Sequence, residues 1–249
     1  MSPTHLVLIP SYNTGPLLQR TVREARAAWA PVWVVIDGST DDSDAALEAM
    51  TADDPQLRVL RLPRNGGKGA AVFAGLTEAA RDGFSHVLTF DADGQHPATH
   101  IETFMQASMR DPAAMILGVP IFAADAPALR VRGRKISNFW ASLETGGAVA
   151  DSLFGFRVYP VSPLLGLMRA TRSMRHFDFD PEAAVRLCWR GVRPVNLPAP
   201  VRYLRPVEGG VSHFRYVRDN VILTLMHIRL MVIALTLHLP TMLRRKEPH

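Results

Sequence analysis

The chain reads as an α/β protein: a mostly parallel, Rossmann-like sheet flanked by helices, with an apolar or amphipathic helix toward the C-terminus. Three observations lead there. Short apolar runs of β-formers alternate with helix-length segments through the first third of the sequence. These runs are near-continuously hydrophobic, as strands covered on both faces must be. Polar clusters follow the first, second and fourth runs, at the carboxyl ends where such sheets bind ligands.

Taken in order, "HLVLIPSYN" is a short strand closed by turn residues, and "TGPLLQRTVREARAAW" puts Leu18, Val22, Ala25 and Trp29 on one helical face. "VWVVI" is the second strand, and "STDDSDAALEAM" opens like a capped helix with acids in its first turn. "LRVLRL" follows as a strand, "GGKGAAVFAGLTEAARDG" as a helix closed by Gly83, and "HVLTF" as the fourth strand. Beyond about residue 118 the pattern loosens. "RVRGRK" is a basic run, "ISNFWASLETGG" a helix, and "FGFRVYP" strand-like. "DPEAAVRLCWRG" places Asp180 at the N-cap, Pro181 at N1 and Gly191 at C′ of a helix. After "VRPVNLPAPVRYL" and the loop "RPVEGGVSHF" comes the apolar stretch 221–239. With no repeat and no low-complexity linker, the simplest division is a catalytic-type domain over 1–220 and a C-terminal helix with a basic tail over 221–249.

The 249 residues bury a sizeable core without disulfides. The lone Cys188 and the lack of a visible secretion signal point to a reducing, cytoplasmic setting. A net charge of +5 suggests an anionic partner: phosphate esters, nucleic acid or an acidic membrane surface. Nucleic acid is the poorest fit, because the basic residues are scattered and no aromatic platform accompanies "RVRGRK".

The chemistry concentrates in "VLTFDADGQHP". Asp91 and Asp93 end an apolar run, where two repelling carboxylates need a cap, a partner or a cation. Mg²⁺ or Mn²⁺ would resolve the conflict, with Gln95 as a further oxygen donor; a strand cap followed by an ordinary Asp-Gly turn is the alternative. Asp37, after the second strand, suits either hydrogen bonds from a base or ribose or the capping of a turn. "LPRNGGKGAAVFAGL" lacks the Walker and dinucleotide spacings, yet its glycines allow close backbone approach and Lys68 brings charge to a helix start. His96 reads as a turn residue and Cys188 as core.

The order of "PSYN", "DGSTD", "RNGGKGAAVFAG", "DADGQHP", "GFRVYP", "DPEAAVRL" and "GGVSHF" resembles that of family 2 glycosyltransferases over residues 5 to about 220. It is most similar to the branch of dolichyl- and polyprenyl-phosphate mannose or glucose synthases. The resemblance implies a GT-A fold, a nucleotide-sugar donor such as a UDP- or GDP-sugar, a divalent metal and inversion at the anomeric carbon. It implies that Asp37 holds the donor's base, with Pro10, Tyr12 and Asn13 lining the same cleft and Lys68 and Asp91 on the donor side. Asp91, Asp93 and Gln95 become the metal side, and Asp180 the catalytic carboxylate, six residues before Arg186, with Asp178 and Glu182 nearby. Two departures stand out: Ile36 replaces an acid before Asp37, and Phe179 replaces a Glu before Asp180. They bear on donor and acceptor rather than on fold.

A hydroxyl acceptor would require a general base, for which Asp180 is the first candidate; a lipid phosphate, already ionised near neutral pH, would not. Arg134, Arg202 and Arg205 are candidate anion clamps, and Ser212 and His213 candidate acceptor or diphosphate contacts. In the C-terminal stretch His227 and Arg229 sit near the middle, which disfavours spanning a bilayer. A helix on the cytoplasmic membrane face or over the acceptor cleft fits better, with Arg244, Arg245 and Lys246 toward anionic headgroups; a buried terminal helix or oligomer interface is the alternative. A sugar-1-phosphate nucleotidyltransferase is the rival enzyme, although "PSYNTGP" lacks its glycine- and arginine-rich signature; a silent nucleotide-binding module is the rival outside catalysis.

Overall fold

Along the first strand, β1 (His5–Ser11), Leu6 and Leu8 point to one side and Val7 and Ile9 to the other, and all four are fully buried. The same split recurs in β2 (Val32–Asp37), where Trp33 and Val35 oppose Val32 and Val34. This alternation feeds two hydrophobic cores, one on each face of the sheet. Each fully buried Leu, Ile or Val contributes roughly 1.5–3 kcal/mol. The computed structural model describes residues 4–123, 126, 128–202 and 216–238.

The seven strands run in the order β3-β2-β1-β4-β6-β5-β7, with β3 (Leu57–Leu62), β4 (His86–Thr89), β5 (Met115–Phe122), β6 (Arg157–Pro160) and β7 (Pro194–Val201) completing the sheet. All pairings are parallel except those of β6, which runs antiparallel to both β4 and β5. β7 carries Pro194, Pro198 and Pro200 and lies at the edge, where missing N–H donors cost no ladder bond. Those prolines conceal the strand in the sequence.

Helices α1 (Leu17–Ala28) and α4 (Ile101–Arg110) cover one core, and α3 (Lys68–Arg81), α6 (Val161–Ala170) and α7 (Phe179–Trp189) the other. The short α2 (Ala45–Asp53) joins the first core through Leu47. The α1 face is Leu17, Leu18, Thr21, Val22 and Ala25, while Trp29 caps the helix and donates its indole N–H to the His5 carbonyl. α5 (Ala128–Thr145) joins the basic run and the expected helix into one element. α8 (Tyr216–Ile233) begins before residue 221, so the expected domain boundary falls inside a helix, and a π-helical turn over Ala234–His238 continues it. Leu223, Met226 and Leu230 of α8 pack with Ala141 of α5 and Val185 of α7 in a third cluster. The tail residues Arg244, Arg245 and Lys246 lie outside the described residues.

At the pole away from the strand carboxyl ends, His5 and His86 are register partners on β1 and β4, and their rings stack 4.4 Å apart. His5 Nε2 lies 3.1 Å from Ser108 Oγ, and His86 Nε2 donates to the Pro112 carbonyl. Burial, and then the charge of His86, lowers the His5 pKa to about 4, and burial lowers that of His86. Below an ordinary value near 6.5 the unfolded chain takes up protons that the folded pair refuses, so stability falls as pH drops from about 6.5 toward 4. His5→Gln should flatten that fall, read as urea midpoints at about pH 7 and about pH 5; an unchanged difference would assign the acid sensitivity elsewhere.

Candidate functional site

The site grows from loops at the carboxyl rim. After β1, Asn13 adopts φ +44 and works as a clasp: its backbone N–H donates to Ser39 Oγ, and its Oδ1 accepts the Thr40 N–H at 2.7 Å. Gly15 N–H donates to Asp41 Oδ2, tying the same two loops again. Asn13 therefore holds the rim together instead of lining the cleft, where Pro10 and Tyr12 do stand.

Asp37, buried at the end of β2, accepts the Gly66 N–H on Oδ1 at 2.9 Å and the Gly67 N–H on Oδ2 at 2.8 Å. Burial raises its pKa, against the lowering effect of those two bonds. Its first job is thus to fasten the glycine loop, and its carboxylate also borders the cavity. Gly67 has φ +94, and a Cβ there would lie 2.2 Å from His176 Nδ1 and 2.5 Å from the Arg175 carbonyl. Only glycine fits. The loop so held delivers Lys68 as the first residue of α3.

Lys68 Nζ sits 2.7 Å from Asp91 Oδ1 and 2.7 Å from Asp180 Oδ2. Burial alone would lower the lysine pKa, but the fields of Asp180 and then Asp91 outweigh it and raise the value. Burial works the other way on Asp91, and the groups around it, Lys68 first, together more than compensate, so that carboxylate is held below its usual range. Asp180 Oδ1 is buried and, among the described residues, has no hydrogen-bond partner. Gly155 makes room for the group: a Cβ there would stand 2.4 Å from Lys68 Nζ and 2.8 Å from Asp91 Oδ2.

Behind the carboxylates lies Arg157, fully buried on β6. It donates to the carbonyls of Phe154, Asp151 and Asp180 and to the Tyr159 hydroxyl, so it orders the loop around Gly155 and the start of α7. His96 is no turn residue on the surface. It is buried among Phe90, Phe154 and Phe156, accepts the Asp91 N–H on Nδ1 at 3.0 Å, and turns Nε2 toward Asp91 Oδ2 at 3.4 Å. Burial lowers its pKa to about 4 against the pull of Asp91, so the ring is neutral at ordinary pH and Nε2 bears the proton.

The helix cap differs from the expected one. α7 starts at Phe179 with Asp178 at the N-cap position, so Asp180 lies inside the first turn. Asp178 receives the N–H groups of Met174 and His176, which shapes the preceding loop. Glu182 is fully buried and takes Ser173 and Arg186 on Oε1 and Arg229 of α8 on Oε2. Of the three carboxylates expected to be catalytic, Asp180 lines the cavity, while Asp178 and Glu182 are engaged in holding helices and loops.

Asp93 and Gln95 also line the cavity, and Asp93 Oδ1 accepts the Gln95 N–H at 3.0 Å, the local turn expected of Asp-Gly. Arg134 borders the cavity while paired at 2.6 Å with the buried Asp151. Arg202 donates its backbone N–H to the Gln95 carbonyl. Arg205, Ser212 and His213 lie outside the described residues. Among the described residues no three His, Cys, Asp or Glu side chains converge on a metal position. Asp91, Asp93 and Gln95 border the same cavity and carry oxygen donors, the ligand type that a hard divalent cation takes.

These groups open into one cavity of about 1350 Å³. Its far wall is apolar, built by Ile136 and Trp140 of α5 and by Leu223, Ile228, Met231 and Val232 of α8. Sequence reasoning overlooked Gly155 and Arg157 and read His96 as a turn residue. A charged residue inside the otherwise apolar strand "FRVYP" was the available signal for Arg157.

Two substitutions separate chemistry from scaffolding. Gly155→Ala should leave cooperative unfolding intact while lowering turnover on the order of a hundredfold, because it displaces charged atoms by about 1 Å. Glu182→Gln should cost stability, short of the roughly 3–5 kcal/mol of a stranded buried charge because both arginines reach solvent, with turnover per folded molecule preserved. A Glu182→Gln protein that is stable but inactive would return Glu182 to the reaction.

The family model described as Glycosyl transferase family 2 matches residues 6–165. An undecaprenyl-phosphate mannosyltransferase of Micrococcus luteus is 26% identical over 208 residues, which cover 78% of this chain and 81% of that protein. A polyprenol monophosphomannose synthase of Mycolicibacterium smegmatis is 27% identical over 200 residues, covering 78% and 75%. Among solved structures, glucosyl-3-phosphoglycerate synthase of Mycobacterium tuberculosis, in complex with Mn²⁺, UDP and phosphoglyceric acid, superposes with a TM-score of 0.67 at 15% identity, covering 93% of this chain and 78% of that one. The sheet order, the rim cluster and the family match agree: the chain has the GT-A fold, belongs to glycosyl transferase family 2, and is a glycosyltransferase.

Proposed function

We propose that the chain moves a hexose from a UDP- or GDP-sugar to a polyprenyl-phosphate acceptor, with inversion, at the cytoplasmic face of a membrane. The observation that carries this reading is the single cavity joining a charged end (Asp37, Lys68, Asp91, Asp180) to an apolar wall of α5 and α8. Such a shape suits an acceptor with an ionised head and a hydrocarbon tail. The names of the Micrococcus luteus and Mycolicibacterium smegmatis relatives point the same way.

The outer surface adds support. Phe139 and Leu143 of α5 are more than half exposed, as are Val221 and Leu225 of α8; Ile136, Ile228 and Val232, which also border the cavity, are equally exposed. The segment Arg218–Thr236 is long and apolar enough to cross a membrane by length and composition. The two ionisable residues near its middle, however, are used inward: His227 contacts Ser137 and Glu144, and Arg229 pairs with Glu182. A helix clipped to the domain by those pairs, with an apolar outer face, suits the membrane interface better than a span.

In this mechanism Pro10, Tyr12 and Asp37 border the nucleotide, and Lys68 places positive charge against the diphosphate. A Mg²⁺ or Mn²⁺ held by Asp91, Asp93 and Gln95 together with the donor would stabilise charge on the departing nucleoside diphosphate. The acceptor phosphate attacks from the opposite face of the sugar. Being ionised near neutral pH, with a second pKa of about 6, it needs no proton removed. Asp180 then serves through Oδ1 as a hydrogen-bond acceptor that orients a hydroxyl, and Arg134, which borders the cavity, is a candidate to meet the acceptor's anion.

Transfer assays with UDP- and GDP-sugars, Mn²⁺ and a short-chain prenyl phosphate, read by mass spectrometry, should yield a prenyl-phosphate sugar. Transfer to a soluble hydroxyl acceptor in preference to it would sink the acceptor assignment. With the phosphate acceptor the rate should fall below about pH 6, as the acceptor protonates. Asp180→Asn should slow the reaction without moving that limb; a limb that shifts or vanishes in the variant would make Asp180 the base.

A further inference from the structure

Asp91 does not wait in the cavity as a bare carboxylate. One oxygen is paired with Lys68 at 2.7 Å and the other faces His96 Nε2 at 3.4 Å. Lys68 is itself shared with Asp180 at 2.7 Å, and its side chain is only 12% exposed. Nor is the ammonium there by a chance rotamer. Its backbone follows Gly67, where the left-handed conformation and the His176 contact admit only glycine, and its tip occupies space kept open by Gly155. The chain has built a monovalent cation into the place where a divalent one would meet its first carboxylate.

Two consequences follow from charge alone. A free divalent ion approaching Asp91 meets a fixed ammonium within a few ångströms, in surroundings where charges interact more strongly than in water. A divalent ion arriving with a diphosphate brings negative charge that offers Lys68 another partner, so the exchange at Asp91 costs far less. Asp180 would keep Lys68 on Oδ2 while Oδ1 meets the substrate, which gives the unpartnered Oδ1 its reason.

We propose that Lys68 closes the acidic site to free divalent metal, so that metal enters only together with the donor's diphosphate. The proposal rests on the donor-site reading above. It makes Lys68 a positioning residue that sets the order of binding, and it predicts that removing a positive charge strengthens the binding of metal alone while impairing use of the donor.

The test is Mn²⁺ binding followed by the electron paramagnetic resonance signal of the free ion, for the wild-type chain, Lys68→Met, Lys68→Gln and Lys68→Arg, each alone and with UDP or GDP. Wild type should bind Mn²⁺ weakly alone and tightly once one nucleotide is present. Lys68→Met and Lys68→Gln should bind Mn²⁺ alone about tenfold more tightly than wild type, a change within the usual range of coupling between sites, and should lose most of the nucleotide dependence. Lys68→Arg, which keeps the charge, should resemble wild type. If the neutral variants gain no affinity for Mn²⁺ alone while nucleotide still promotes binding in wild type, the gate is wrong and the donor site stands. If neither nucleotide promotes Mn²⁺ binding in wild type, both fall together. The glutamine variant serves if the methionine one fails to show a cooperative unfolding transition.

Discussion

Everything at the rim depends on one lysine lying between two carboxylates that three distant parts of the chain supply. Lys68 comes from the glycine loop, Asp91 from the end of β4, and Asp180 from α7, 112 residues away in sequence from the lysine. Removing such charges from water costs several kcal/mol per ion unless geometry returns it. The surrounding residues are the means of that return. Asp37 fixes the loop, Gly155 leaves the space, and Arg157 holds the backbone carbonyl of Asp180 from behind. Every member of the cluster is thus set in place by a neighbour.

This interdependence explains what the sequence disclosed and what it kept. The parallel sheet was legible because β1, β2 and β4 are apolar runs whose two faces both need cover. Asp37, Lys68, Asp91 and Asp180 were legible because each sits in a local pattern, a strand end or a helix start, and because their order resembled a known family. What no local pattern encodes is partnership. Asp-Pro-Glu looks like a helix cap at Asp180, yet the cap position falls to Asp178 and frees Asp180 for Lys68. Glu182 looks like a spare catalytic acid, yet it binds Arg186 and Arg229 together. His96 follows a turn in sequence and is carried under the strand end by three phenylalanines. β7 hid behind its prolines, because only an edge position makes them tolerable.

α8 repeats the lesson on a larger scale. Mean hydropathy favours a span, while a histidine and an arginine in the middle argue against it. The fold resolves the conflict by giving the helix two different sides. His227 and Arg229 face buried Glu144 and Glu182, and Leu223, Met226 and Leu230 pack on α5 and α7. Of the remaining apolar residues, Ile228, Met231 and Val232 border the cavity, and Val221 and Leu225 are left exposed, as Phe139 and Leu143 of α5 are. The ionic contacts that keep the helix on the domain are thus what turns its greasy side outward.

The two halves of the cavity constrain the chemistry jointly. A general base needs a carboxylate whose lone pairs are free and whose attachment can change during the reaction. Asp180 has one oxygen committed to Lys68 and the other buried, which suits steady hydrogen bonding better than proton transfer. An acceptor that must lose a proton is poorly served by such a group, whereas one that arrives ionised needs only to be positioned. A phosphate head meets that condition, and the apolar wall of α5 and α8 is where a tail attached to it could lie. In the proposed reading, the pairing that ties up the carboxylate and the helices that line the wall select the same kind of acceptor.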